Sequence, residues 1–193
     1  NRIAMNAVTS AGLLAASKNP MAQRESRHSY SISLEQGEIT NQKQSGRCWM
    51  FAALNTFRFE VMKNLNLKTF ELSQNYTLFY DKLEKSNYFL ESILETLDEP
   101  TQGRLISFLL SAPLGDGGQW DMLCNLVRKY GVVPKEAMPE TVSSSATREM
   151  TSALTRKLRE DACRLRKAYA DGSTLDELRQ KKEAMMEEIY RVL

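Results

Sequence analysis

Residues 42–49, Gln-Lys-Gln-Ser-Gly-Arg-Cys-Trp, are the most informative stretch of this sequence. The stretch begins as a polar loop and leads into an apolar pattern with helical spacing, which predicts a helix from Arg47 to about Leu65. Cys48 therefore stands where a loop ends and a helix begins. The unpaired N–H groups of a first helical turn stabilise negative charge, so this position favours the thiolate form of a cysteine.

Gln42 adds a second chemical group, six residues before Cys48. A side-chain amide in that loop can fold back and donate a hydrogen bond to a carbonyl oxygen under attack by the thiolate. Together with the backbone N–H of Cys48 it would form an oxyanion hole, in which one donor typically contributes about 2.7–4 kcal/mol to the transition state. Gly46 would leave room for a substrate backbone. Taken singly, Gln42 is a solvated loop amide and Cys48 a buried free thiol.

Four segments in the same order resemble papain-like cysteine peptidases. The first is 42–49, in which a Gln precedes a Cys-Trp pair by six residues. Next come Leu-Ser-Gln at 72–74, Asp-Gly-Gly-Gln-Trp at 116–120 and Tyr-Gly-Val-Val-Pro at 130–134. In the family the third segment is a substrate-binding loop of the form Asn-Gly-Gly-x-x-Trp, and here Trp120 comes one position early.

Within that family, the sequence is most similar to the bleomycin hydrolase/aminopeptidase C branch. The characteristic segments are Ser-Gly-Arg-Cys-Trp at 45–49, Asp-Gly-Gly-Gln-Trp-Asp at 116–121 and Met-Met-Glu-Glu-Ile at 185–189. Members of the branch are cytoplasmic thiol aminopeptidases that assemble into hexamers. The resemblance therefore implies peptide substrates, a homo-oligomer and a cytoplasmic location.

The fold implied by the resemblance is the α+β papain-like fold. This chain would supply mainly the helical lobe that carries the nucleophile, with an inserted helical sub-domain, and the β-rich lobe would be missing. We expect an N-terminal helical segment at 1–27, the papain-like helical lobe at 28–140 and the helical insertion at 141–193.

The resemblance also implies the roles of the site residues. Cys48 would be the nucleophile and Gln42 the oxyanion donor. Gly117 and Gly118 would expose backbone groups that pair with an extended peptide substrate. The alternative for the two glycines is a simple turn before the next helix. We expect Trp120 to pack in the core rather than to stack on a ligand.

The general base is the main departure from the family pattern. The family's catalytic His and Asn follow the Cys in sequence, but no His follows Cys48, and the single histidine is His28. His28 could in principle reach the thiol, yet in papain-like peptidases the base comes from the other lobe. A start at Asn1 and an end at Leu193 without a helix stop signal also indicate a truncated enzyme, nearly inactive by itself.

Composition excludes several other classes of function. The chain has 26 basic and 24 acidic residues, a net charge of +2, and no apolar run near the length of about 20 residues that spans a bilayer. Strong phosphate binding and attraction to an acidic membrane are therefore not predicted. Cys48, Cys124 and Cys163 are too few for a disulfide framework and indicate a reducing compartment, the cytoplasm. Without a Cys/His cluster we expect no metal and no cofactor.

Two alternatives to the peptidase interpretation stay open. One is a non-catalytic domain that supplies oligomer contacts through the helical insertion. The other is a weak nucleic-acid-binding module that uses the basic side chains of the last two helices.

The periodicity of apolar residues predicts the remaining elements. Alternation at 30–34 predicts a short strand, and residues 35–38 a turn. Arg58 indicates a solvated edge on the first long helix. Further helices are expected at 73–97, 104–111, 119–130, 146–170 and 174–193, the last with a capping box at 174–177.

Overall fold

A computed structural model describes residues 1–25, 29–34 and 37–193, with the side chain of Gln23 left undescribed. The chain divides into two compact units, Asn1–Glu35 and Gln36–Leu193. The N-terminal unit contains α1 (Arg2–Ala11), α2 (Leu13–Ala16) and α3 (Pro20–Glu25). All of its described side chains are exposed.

The larger unit is mainly helical. Its helices are α4 (Cys48–Leu65), α5 (Gln74–Glu95), α6 (Arg104–Ser111), α7 (Trp120–Tyr130), a 3₁₀ turn at Lys135–Ala137, α8 (Val142–Ser145), α9 (Arg148–Ala170) and α10 (Leu175–Val192). The helices expected from periodicity are confirmed within one or two residues at most ends.

The expected strand at 30–34 is wrong. These residues form no strand, and Tyr30, Ile32 and Leu34 are 77%, 76% and 58% exposed. An alternating pattern produces a strand only when a second strand pairs with it, and β structure in the described ranges is limited to two isolated bridges, Gln44–Ala146 and Leu72–Pro134. The turn expected at 35–38 lies partly outside the described residues, which do not include 35 and 36.

Helix α5 is the centre of the larger unit and packs against α4, α6, α7, α9 and α10. It begins where the sequence predicts, because the side chain of Ser73 accepts a hydrogen bond from the backbone N–H of Tyr76 at 3.0 Å. The Ser73 hydroxyl also donates to the carbonyl of Met138, so the same cap ties the loop after α7 to the start of α5.

Two apolar clusters form the core. The larger lies between α5, α9 and α10, and its buried members are Phe89, Leu90, Ile93, Leu94, Leu97, Leu114, Leu154, Leu158, Ala162, Leu165, Leu178, Met185 and Ile189. The smaller joins α4, α5 and α7 through Met50, Ala53, Leu78 and Leu123. Met150 packs against both clusters. The helices after residue 140 therefore share their core with α5, and the boundaries 1–27, 28–140 and 141–193 stay a prediction.

The capping box predicted at the start of the last helix is confirmed. Thr174 and Glu177 form a reciprocal capping box at the start of α10. Gly131 ends α7 with φ of 76°, a conformation that residues with a side chain adopt at a cost.

The expectation of a solvated edge at Arg58 is wrong. Arg58 is buried, and its guanidinium donates to the carbonyl of Glu38 at 2.6 Å.

Candidate active site

Cys48 is the first residue of α4, and its side chain is exposed. The residue before it, Arg47, occupies the N-cap position but accepts no side-chain hydrogen bond from the first turn. The N–H groups of that turn are therefore not covered by a capping side chain, and they lie where a negative sulfur or oxygen would be stabilised.

The loop before Cys48 is fixed by hydrogen bonds of its own. The Ser45 hydroxyl donates to the carbonyl of Gln42 at 2.6 Å, and the backbone N–H of Lys43 donates to the side chain of Asn41 at 2.8 Å. Lys43 has φ of 55°, which turns the chain sharply. The N–H of Gln44 donates to the carbonyl of Ser145 at 2.9 Å, so the loop is tied to the segment before α9.

Arg47 anchors the start of α4 from inside the protein. Its side chain is fully buried and forms a bidentate ion pair with Glu140, with N–O distances of 2.9 and 2.8 Å. Its Nε donates to Ser45 at 2.8 Å. Burial works to raise the pKa of Glu140, but hydrogen bonds from Arg47 and Ser144 outweigh burial and hold that pKa below its usual value. Arg47, the residue before Cys48, is thus held by three hydrogen bonds.

The glycine loop lies against Trp49, the residue after Cys48. The indole N–H of Trp49 donates to the carbonyl of Asp116 at 2.8 Å. A Cβ at Gly118 would lie 2.5 Å from the Trp49 ring, so only glycine fits there without moving the ring. Gly117 is exposed, and a Cβ there would meet nothing within 4 Å. The structure therefore brings the loop of Gly117 and Gly118 next to Trp49, the residue that follows Cys48.

The side chain of Asp116 reaches the other side of Cys48. One oxygen accepts a hydrogen bond from the backbone N–H of Gly46 at 2.9 Å and a second from the Thr147 hydroxyl. The other oxygen accepts from the buried ammonium of Lys82 at 2.6 Å. Burial works to raise the pKa of Asp116, but hydrogen bonds from Lys82, Thr147 and Gly46 outweigh it and hold the pKa far below its usual value.

The space expected beside Gly46 is filled by this aspartate. A Cβ at Gly46 would lie 2.8 Å from the Cβ of Asp116. Glycine is therefore required at this position for the close approach of Asp116. On the side where a Cβ would point, Asp116 leaves no room for a substrate backbone, and the expectation of such room is wrong there.

Lys85 holds the glycine loop from α5. Its ammonium donates to the carbonyl of Gly117 at 2.7 Å and to Asp81 at 2.8 Å, and it lies 5.5 Å from the centre of the Trp49 ring. Burial raises the pKa of Asp81 to about 6, against the opposing attraction of Lys85.

Gln42 is half-buried in the same loop as Cys48. Its side-chain oxygen Oε1 is buried and has no hydrogen-bond partner among the residues described. Of the other candidates, Cys124 is half-buried and Cys163 exposed, and His28 lies outside the described residues.

An open cavity of about 320 Å³ lies along the first two turns of α4. Trp49, Ala52 and Thr56 line it from α4, and Gly118 and Trp120 line it from the opposite side. Trp120 is 59% exposed, so the expectation that it packs in the core is wrong. Its ring lies 6.3 Å from that of Phe57, at the rim of the smaller core cluster.

The described part of the chain contains no group of three His, Cys, Asp or Glu side chains arranged to hold a metal ion. None of its helices is long and apolar enough to cross a bilayer.

Sequence reasoning missed the charged side chains that support the site. Asp116 was noticed only as the first letter of the glycine motif, and Glu140, Lys82 and Lys85 were not singled out at all. Lys82 and Lys85 are spaced three apart on a helix, a spacing that places them on one face. That spacing was the available signal, but it does not reveal which loop the face meets.

Comparison with solved structures gives a close match. The crystal structure of PepW from Lactobacillus rhamnosis superposes with a TM-score of 0.90 at 49% sequence identity, covering 99% of this chain and 43% of that chain. The described fold is therefore that of a papain-like peptidase, with helices as its main component.

Comparison with curated proteins agrees. Aminopeptidase C of Listeria monocytogenes is 51% identical over 182 residues, which are 94% of this chain and 41% of that protein. Human bleomycin hydrolase is 48% identical over 166 residues, 85% of this chain and 36% of that protein. The chain spans about two fifths of the length of these relatives. The sequence model of the Peptidase C1-like family matches residues 1–193, and the chain therefore belongs to this family of cysteine peptidases.

Proposed function

We propose that this chain is the nucleophile-bearing part of a thiol aminopeptidase that removes residues from the N-termini of peptides. One observation carries the proposal: an exposed cysteine opens α4, and its neighbour Trp49 touches the glycine loop through a hydrogen bond and a close ring contact. The N-terminal site of cleavage is inferred from relatives named aminopeptidase C.

Cys48 attacks the scissile carbonyl as the thiolate. The carbonyl carbon becomes tetrahedral, and its oxygen takes the negative charge. The backbone N–H of Cys48 and the amide of Gln42 then donate hydrogen bonds to that oxygen. Support comes from the loop that carries both residues, which is held by the Ser45–Gln42 hydrogen bond and by the buried Arg47. A rigid donor costs no reorganisation when the charge develops.

Gly117 and Gly118 align the substrate backbone beside the thiolate. Gly117 is exposed to an extended peptide, while Gly118 packs against the Trp49 ring. The carbonyl of Gly117 is already bound by Lys85. Pairing with substrate therefore falls to the remaining backbone groups of this loop.

The general base is supplied from outside residues 1–193. A histidine moves the proton between the thiol and the leaving amine, and an asparagine orients the histidine, both from the β-rich lobe that the family resemblance implies. No histidine follows Cys48 in this sequence, which is why we place the base elsewhere. Loss of a general base typically costs about 10²- to 10⁴-fold in rate.

The test compares three proteins on a fluorogenic aminoacyl amide: the complete parent protein, its Cys48→Ala variant, and residues 1–193 alone. We expect the complete protein to cleave, the variant to be inactive, and the short chain to lose at least about 10²-fold. Activity that survives Cys48→Ala would rule out this nucleophile. Full activity of residues 1–193 would refute the external base.

The proposal includes assembly and location. Following the family resemblance, we propose a cytoplasmic homo-oligomer, a hexamer. Helix α10 is a candidate contact surface because its Tyr190 and Val192 are 55% and 59% exposed. Light scattering of the complete protein during size-exclusion chromatography tests this. A monomer at micromolar concentration would refute it.

A nucleic-acid-binding role has less support. Basic side chains on α9 and α10 form ion pairs one turn along the same helix, such as Arg164–Glu160, Lys167–Asp171 and Arg191–Glu187. Their charge is therefore partly neutralised. Elution from a polyanion column at low salt would remove this alternative.

A further inference from the structure

We propose that Asp116 is a positioning residue that couples the nucleophile loop to the glycine loop. The inference rests on the proposed function, since it concerns how Cys48 is held relative to the backbone that aligns the substrate. Asp116 is not itself a catalytic residue, because no contact joins it to the reacting sulfur.

The contacts of Asp116 lie on both sides of Cys48. Its carboxylate accepts the N–H of Gly46, two residues before the nucleophile, at 2.9 Å. Its backbone carbonyl accepts the indole N–H of Trp49, one residue after the nucleophile, at 2.8 Å. Gly117 follows directly in sequence. Asp116 therefore holds the residues on both sides of the nucleophile, Gly46 and Trp49. Because Gly117 is its neighbour in sequence, it also holds the start of the glycine loop.

Packing reinforces these hydrogen bonds. The Cα of Gly46 lies so close to Asp116 that a Cβ would come within 2.8 Å of the Asp116 Cβ. Gly118 likewise leaves no room for a Cβ beneath the Trp49 ring, at 2.5 Å. Both loops are thus in direct contact, and a shift of one must move the other.

Two lysines on α5 keep Asp116 ionised and in place. The fully buried Lys82 donates to the carboxylate at 2.6 Å and to the Gly115 carbonyl at 2.9 Å. Lys85 donates to the carbonyls on either side of Asp116, those of Gly115 at 3.1 Å and Gly117 at 2.7 Å. The glycine loop is therefore held by two lysines of α5 and, separately, by its contacts with the nucleophile loop.

The substitution Asp116→Asn isolates the coupling. Asparagine has nearly the same shape, but one carboxylate oxygen becomes an NH₂ group that can only donate. Lys82 and the Gly46 N–H are also donors. The amide will turn its oxygen toward the lysine charge, so its NH₂ group faces the N–H of Gly46 and that hydrogen bond is lost. The nucleophile loop is released while the lysine stays paired.

The matched control is Asp161→Asn. Asp161 is also buried, and it pairs at 2.8 Å with Lys157, four residues earlier on α9 and outside the site. Both variants alter a buried acid–lysine pair and should lower the melting temperature. In the complete protein we expect Asp116→Asn to reduce kcat at least about tenfold, because displacements near 1 Å in a reacting group can cost about 10²-fold. We expect Asp161→Asn to keep kcat within about twofold of wild type.

A second readout does not depend on peptidase activity. The rate of alkylation of Cys48 by iodoacetamide, followed by mass spectrometry, should change in Asp116→Asn and not in Asp161→Asn, with exposed Cys163 as internal reference. If wild type shows no peptidase activity but Cys48 alkylation still responds to Asp116→Asn, the proposed function fails and the coupling stands.

A second variant covers failure of Asp116→Asn to fold. Gly46→Ala leaves every charge in place and pushes its methyl group into the Asp116 side chain, and we expect the same direction of effect on kcat and on Cys48 alkylation. Equal losses in Asp116→Asn and Asp161→Asn would show a structural role only. Wild-type kcat and alkylation in Asp116→Asn or Gly46→Ala would equally overturn the coupling.

Discussion

Gln42 is a residue held by its backbone while its side-chain amide stays uncommitted. Its carbonyl accepts the Ser45 hydroxyl at 2.6 Å, yet its Oε1 is buried without a hydrogen bond among the described residues. A buried acceptor without a partner typically costs about 1–3 kcal/mol. Native proteins keep few such groups, and each calls for an explanation. An oxyanion accepts hydrogen bonds, so the group that would serve it is Nε2 of the same amide, and the unpaired Oε1 neither supports nor opposes that role.

We expect Gln42→Ala in the complete protein to lower kcat by about 10²- to 10³-fold with a small change in KM, because the donor acts on charge that exists only in the transition state. Steady-state kinetics on an aminoacyl amide measure both parameters. The matching control is Gln44→Ala in the same loop, which should keep kcat, since the contact of Gln44 with Ser145 is made by its backbone. Equal losses in the two variants would contradict the oxyanion role.

Asp81 predicts a pH dependence of stability. Burial raises its pKa to about 6 from an ordinary 3.8, although Lys85 and Lys82 oppose the rise. Between these values the folded chain binds more protons than the unfolded chain, so the contribution of Asp81 to stability is full below pH 3.8 and declines as pH rises through 6. Nearby Asp116 stays ionised throughout, because its pKa lies far below this range.

The measurement compares wild type with Asp81→Asn in urea unfolding of residues 1–193. The difference in unfolding free energy, wild type minus variant, should fall by roughly 2–3 kcal/mol between pH 4 and pH 7 and then level off. Subtracting the variant removes the contributions of other titrating groups. A difference that is constant, or that grows with pH, would show that burial does not control this carboxyl.

At the scale of elements, the site is a contact between the start of one helix and one loop. Helix α4 begins at Cys48, and the preceding Arg47 is buried and paired with Glu140. The loop before α7 meets it through Trp49. Removing one partner of a buried ion pair typically costs about 3–5 kcal/mol, so this geometry is strongly specified.

The two glycines of the loop form a matched pair for a test at this scale. Gly118→Ala places a methyl group 2.5 Å from the Trp49 ring, whereas Gly117→Ala meets nothing within 4 Å. We expect Gly118→Ala to destabilise the chain by about 1–3 kcal/mol, as overpacking typically does, and Gly117→Ala to leave stability nearly unchanged. Thermal unfolding followed by circular dichroism distinguishes them.

Kinetics of the same pair then report on substrate contact. Because Gly117→Ala keeps the fold, a rise in KM in the complete protein would come from the new methyl group meeting the substrate. An unchanged KM in Gly117→Ala would count against substrate pairing at that residue.

At the scale of the whole molecule, one core joins the helices on both sides of residue 140. Residues from α5, α9 and α10 pack in a single cluster, and Met150 links that cluster to the smaller one beneath Trp49. Elements that share a core unfold together. We therefore expect residues 37–193 to behave as one cooperative unit.

The chain offers a built-in reporter for this prediction. Both tryptophans, Trp49 and Trp120, precede residue 140, whereas α9 and α10 contribute much of the helix. Leu158→Ala, at a fully buried site on α9, should lower stability by about 2–5 kcal/mol. Urea transitions followed by tryptophan fluorescence and by circular dichroism should shift together. A fluorescence transition that stays at its wild-type midpoint would instead show that residues after 140 fold independently.

Sequence reasoning was most reliable for helices, because their signals are local. Ser73, Gly131 and the pair Thr174–Glu177 each act within one turn of their own positions. The helices expected at 73–97, 119–130 and 174–193 are therefore confirmed. The strand at 30–34 failed because strand formation needs a partner that the alternation of its own residues does not specify. Arg58 was misjudged for the same reason, since its burial depends on the distant segment at Glu38.

The sequence by itself determined that a cysteine opens a helix, that a glutamine precedes it in the same loop, and that a double-glycine loop follows in the order typical of the family. These are properties of neighbours along the chain, and neighbouring residues constrain one another through the backbone. Only the tertiary structure decided that Asp116 joins the two loops and that two lysines of α5 hold it there. Hydrogen bonds and buried charges between residues 30 or more positions apart depend on how helices pack, and no local pattern encodes that geometry.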